Sequence, residues 1–183
     1  MRAKAIFSLQ DVADAPDSQQ AADTRALFNH LFPGVAEPRI DANHAGIAIT
    51  AVSPKLALRL ATMSRFMALE LEWCQRTDLR ELAILTVNLQ LDCAYAFETR
   101  LPAAQAAGLD AALIAALPDW QSTPLLDAEQ RLVIEYTRAV TSSAVTDVLF
   151  AKVVERFGQA GAVEFTAVVG FWSCWAMILN ATL

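Results

Sequence analysis

Histidine and glycine are scarce in this chain of 183 residues, which has two of the first and six of the second. With only His30 and His44, and no Cys/His or carboxylate ladder at ligand spacing, a metal centre is not expected. Few glycines and no polar tract leave no sign of repeats, low complexity or a long flexible linker. Basic charge is the minority: 14 Lys and Arg stand against 20 Asp and Glu, a net charge of −6. Without a basic run the chain lacks the electrostatic footprint of a nucleic-acid binder. Cysteine is sparse and odd in number (Cys74, Cys93, Cys174), which argues for free thiols in a reducing compartment rather than disulfide staples. Met1 to Leu9 is too short and mixed for a secretory signal, so the expected location is the cytoplasm.

Charge is missing altogether between Phe165 and Leu183. That run is long enough for a bilayer. Gly170, Ser173, Asn180 and Thr182 dilute it, Glu164 sits at its edge and no basic residue flanks it, so we read a buried core helix and no membrane span. What the chain has in abundance is apolar surface, 55% of its residues. A monomer of this length would struggle to hide so much, and the excess points to a subunit interface.

Apolar residues recur at three and four positions, not two, which predicts helices throughout. Residues 1–17 read as a poorly ordered lead-in, and residues 18–183 as one helical domain. Ser18 caps a helix ending near Phe32, before Pro33-Gly34. Asn43 starts a short helix across Ala45–Ala51. Ser53-Pro54 opens a longer one running to Glu70 or Leu71. Asp78 with Glu81 suggests a capping start for a helix over Leu79–Leu91, apolar nearly all round and hence central. A second central helix runs from Asp92 to Gly108 and should bend or split at Pro102. Asp110, Asp127 and Thr146 cap three more, the last reaching Phe157-Gly158. A final helix spans about Ala160–Ala181. The fold class is all-α, with about eight helices.

The segment with chemical content is Leu79-Arg80-Glu81-Leu82, then Asp92-Cys93-Ala94-Tyr95-Ala96-Phe97-Glu98-Thr99-Arg100, then Ala106-Ala107-Gly108-Leu109. In order and spacing it resembles the carboxymuconolactone decarboxylase / alkylhydroperoxidase D-like superfamily, with flanks that extend the likeness over roughly Ala21–Leu183. The resemblance implies an alkylhydroperoxidase D-like helical bundle, a homo-oligomer (dimer, trimer or hexamer), small pockets between helices and a small-molecule substrate. Glu81 stands at the family's proton-relay glutamate and Cys93 at its first cysteine. The chain departs from the pattern at Ala96, where the family has its second cysteine or a glutamate, and at Arg100, where it has a histidine.

These departures redirect the chemistry. A paired-thiol peroxidase needs a reactive thiolate and a partner to resolve its sulfenic acid, and the helical neighbour of Cys93 is an alanine. Arg100 cannot act as a base, because a guanidinium stays protonated. It can clamp a substrate carboxylate, or pair with Glu81 or Glu98. Glu81 near a helix start suits acid/base work if partly buried, and otherwise serves as a cap. His44 is a further candidate for proton transfer. Tyr95 could polarise a carbonyl or fill the core. Phe97 is a candidate pocket residue. Trp172 and Trp175, three apart, share a helix face that lines either a pocket or an interface. The leading expectation is an enzyme of the decarboxylase-like branch, without a cofactor, acting on a small organic acid, lactone or aromatic-derived metabolite. The alternatives are a thiol peroxidase using Cys93 alone and a non-catalytic ligand-binding or structural oligomer.

Overall fold

Helix α4 (Thr77–Gln90) is the element around which the larger part of the chain is organised, because its sequence offers almost no polar face. Residues 81–88 are buried without a gap, Glu81, Thr86 and Asn88 among them. A helix buried on every side needs neighbours on every side. It packs against α5 (Ala94–Ala106) and α7 (Ala128–Thr141). The computed structural model describes residues 2–12, 18–41 and 44–183. Among these residues the structure is all-helical, with α1 (Gln19–Leu31), α2 (Ala45–Thr50), α3 (Pro54–Glu70), α6 (Ala111–Ala115) and α8 (Asp147–Thr182) completing eight α-helices. Among the described residues the only β pairing is an isolated antiparallel bridge between Ser8 and Arg39.

The chain divides into two units, Met1–Phe66 with Ala181–Leu183, and Met67–Asn180. In the first, Ser18 caps α1 by accepting from the Ala21 amide at 3.2 Å. Ile6, Leu27, Phe28, Ile40 and Ala48 form its core. The expected lead-in differs here. Ile6 is 2% exposed, and its amide donates to the Ala48 carbonyl at 2.8 Å. Asp11 closes a short 3-10 turn, Leu9–Asp11, by accepting from the Phe7 and Ser8 amides. Apolar burial and a local cap order this segment. Residues 13–17 lie outside the described residues, as does Asn43. α2 has His44 at its N-cap, with no side-chain cap bond.

In the second unit, local signals place several helix starts. Asp110 accepts from the Leu113 amide at 2.8 Å, and Asp127 forms a full capping box with Gln130. At α4 the expected cap is not made. The helix begins at Thr77, and the Asp78 carboxylate instead accepts from Arg76 at 2.9 and 3.1 Å. Arg76 also reaches Glu129 on α7 at 3.0 Å. An ion network across elements replaces a local cap. Pro102 does not split the helix. α5 runs through it, and Pro102 is exposed, so the carbonyl four residues earlier loses its donor on the solvent side. Gly108 ends this segment with φ +97, and the Leu109 amide closes back on the Ala104 carbonyl at 3.1 Å. α8 breaks at Gly158 (φ 75, ψ 170) into segments 147–157 and 159–182. Trp73 stacks on Phe165 with centroids 4.1 Å apart, and the Tyr136 hydroxyl lies 2.7 Å from Thr166 Oγ1, joining α7 to α8.

Candidate functional site

Glu81 sits in the first half of α4 with only 1% of its surface exposed. A carboxylate so deep must find donors or be very costly. It finds two arginines. Arg100, nearly two turns into α5, donates from Nε to Oε2 at 2.5 Å and from Nη2 to Oε1 at 2.8 Å. This is the side-on, two-bond fork that a planar guanidinium forms with a carboxylate. Arg80 adds a bond from Nε to Oε1 at 3.1 Å. Its Nη1 donates to the Ala68 and Cys74 carbonyls, both at 3.3 Å. Arg80 therefore fastens the last turn of α3 and the 3-10 turn Trp73–Gln75 to the carboxylate of α4.

The free face of the Arg100 guanidinium lies over Trp172 of α8, its Cζ 4.7 Å from the ring centroid. Trp172 touches Phe171 edge to face, and Phe171 touches Trp175 in the same way. The Trp175 indole Nε1 is buried and has no hydrogen-bond partner among the described residues. Arg100 Nη1 likewise has none. Two positive charges and one negative meet at Glu81, so the contact set carries one surplus positive charge.

The structure thus brings together Glu81, Arg100 and Trp172, with Trp175 one turn further along α8. Of the two pairings open to Arg100, it makes the one with Glu81. Cys93 is the N-cap of α5 and is 2% exposed. Its i+3 neighbour, Ala96, is half-buried, as are Tyr95 and Phe97 on the same turn. His44 belongs to the first unit and is exposed, whereas every other candidate belongs to the second. Arg80 was not singled out by sequence, although its place beside Glu81 in Leu79-Arg80-Glu81 was the available signal. Cys74 is buried, and that burial pushes its thiol up to about 11. Arg80 pulls the other way, while Glu164 and Glu81 add to the rise. Among the described residues no three His, Cys, Asp or Glu side chains group as a metal site. No family model matches the chain, and comparison with curated proteins and with solved structures likewise gives no match.

Proposed function

We propose that the chain is a carboxymuconolactone decarboxylase-like enzyme that works without a redox cofactor, by acid/base chemistry, on a small organic acid, lactone or aromatic-derived metabolite. The observation that supports this reading is the Arg100–Glu81 fork. The two residues are 19 positions apart, yet they meet at the places where the resembling family keeps its glutamate and its histidine. Arg100 Nη1 and the surplus positive charge suit a substrate carboxylate. Trp172 offers that substrate a flat apolar wall. Glu81 Oε2 accepts a single hydrogen bond, which leaves a lone pair through which a proton can be taken up or returned once substrate approaches. To Tyr95, on the first turn of α5, we assign the polarising of a carbonyl.

Thermal unfolding against a panel of small mono- and dicarboxylates tests the reading, because a ligand that binds only the folded state raises the apparent Tm. The expected result is a rise with some members of the panel that Arg100→Ala abolishes and Glu81→Gln changes less than it changes turnover. Equal responses from wild type and Arg100→Ala would remove the clamp. A second reading, a non-catalytic ligand-binding or structural oligomer, is favoured by how completely the arginines enclose Glu81. It predicts no turnover of any responding ligand.

A further inference from the structure

Glu81 has one more guanidinium than its charge requires. Arg100 alone makes the two-bond fork, and an ion pair is complete with one cation per carboxylate. Yet Arg80 reaches the same carboxylate, from Nε to Oε1 at 3.1 Å, with only 17% of its side chain exposed. Taking a second guanidinium out of water is costly. The Ala68 and Cys74 carbonyls do not demand that charge, since they accept from Arg80 at 3.3 Å and a neutral donor would serve a carbonyl. Nor does a second acid claim it. Glu164, near the same turn, accepts from the Trp73 amide at 2.9 Å, and among the described residues it makes no ion pair. The two arginines therefore differ. Arg80 is fixed by two backbone carbonyls besides Glu81, so its charge stays with Glu81. Arg100 keeps Nη1 uncommitted, is the more exposed of the two at 27%, and lies 4.7 Å over the ring of Trp172.

We propose that Arg80 is a specificity-determining residue of this site: it neutralises Glu81, and so leaves the charge of Arg100 to the single carboxylate of a flat, monoanionic substrate. The inference rests on the proposed function and narrows its small organic acid to a monocarboxylate. Without Arg80, Glu81 and Arg100 would cancel, and an incoming carboxylate would meet a neutral pair with a buried negative charge beside it. With Arg80 in place the surplus is one unit, which one carboxylate matches. A second carboxylate on the same molecule finds no further cation among these contacts and is repelled by Glu81. A neutral amide of the same shape gains nothing from the surplus. Trp172 supplies the flat wall along which a conjugated or aromatic acid would lie.

Calorimetric titration of the full chain with benzoate, its neutral isostere benzamide and the dianion isophthalate tests this. Wild type should prefer benzoate to both. Arg80→Gln, its fold checked by circular dichroism, should weaken benzoate binding about tenfold, the scale of one nearby charge at a partly buried site, and leave benzamide unchanged. Adding Glu81→Gln to Arg80→Gln returns the surplus to one unit and should restore benzoate binding. A loss caused by a disturbed turn would not be recovered by that second substitution. Glu81→Gln alone keeps Arg80 in place, so it serves even where Arg80→Gln does not fold. It raises the surplus to two and should move the preference from benzoate toward isophthalate. An unchanged preference in Glu81→Gln would overturn the inference. Benzoate affinity lowered by Arg100→Ala but not by a folded Arg80→Gln would overturn it while leaving the Arg100 clamp standing. Wild type that binds benzoate no better than benzamide would overturn both.

Discussion

Among the described residues, Glu81 is the only charged side chain that is buried. Its carboxylate is almost wholly out of water, while Arg80 and Arg100 keep side-chain exposures of 17% and 27%. Removing one partner of such a pair strands charge, whereas removing both can be nearly neutral. Arg100→Leu should therefore cost about 3 kcal/mol in urea unfolding, the low end for such a loss because Arg80 still reaches the carboxylate. The double substitution Glu81→Leu with Arg100→Leu should cost less than Arg100→Leu alone, because no buried carboxylate remains to be left half-paired. Additive losses would mean that the fork carries no coupling. The cysteines make a second residue-scale case. Cys74 and Cys93 are buried and Cys174 is exposed. At pH 8 a thiol reagent should label one cysteine per native chain and three after denaturation. With Cys93 this inaccessible and Ala96 beside it, any peroxide consumption with a dithiol reductant should survive Cys93→Ser unchanged. Loss of activity there would restore the one-cysteine peroxidase.

At the scale of elements, sequence was most informative where a helix boundary depends on neighbours within four residues. Ser18, Asp110 and Asp127 each bond an amide three residues on, and each boundary could be read from its cap residue. It was least informative where distant partners decide. Asp78 looks like a cap until Arg76, itself tied to Glu129 on another helix, claims its carboxylate. Ile6 looks like part of a tail until the Ala48 carbonyl and the first unit's core receive it. In the site, the meeting of Glu81 and Arg100 was one of two pairings that the motif spacing left open. The carbonyls that Arg80 holds come from other elements, and no local pattern announces them.

The acidic ends of these elements give a pH prediction. The Arg76 hydrogen bond holds the Asp78 carboxyl below its ordinary range against an opposing effect of burial. At Asp11 burial also opposes, and the Ser8 and Phe7 amides outweigh it. A depressed folded pKa stabilises fully above the unfolded value, about 3.9 for Asp, and that stabilisation is lost as pH falls through the folded value. The thermal midpoint should therefore change little with these groups from pH 7 to about 5 and drop below about pH 4. Asp78→Asn should shrink the drop by lowering the starting stability at neutral pH. A midpoint profile identical to wild type would show that the Arg76–Asp78 pair contributes nothing.

For the whole molecule, two global properties oppose each other. The apolar fraction of 55% favours association, and the net charge of −6 makes each copy repel the next. Self-association would set apolar attraction at the contact against repulsion from the rest of the acidic surface. Salt separates the two. Near 0.1 M the screening length is about 10 Å, comparable to the distance between paired helix axes and shorter than the distance between most charges on two subunits. Raising sodium chloride from about 20 to about 200 mM should therefore tighten any self-association through apolar surface, since it screens the repulsion. A sulfate salt at equal ionic strength should tighten it further by strengthening apolar burial. An interface held by complementary charges would respond in the opposite sense. Sedimentation equilibrium at fixed chain concentration reads the difference directly: association that weakens with salt would place the contact on a charged surface and away from the apolar excess of the chain.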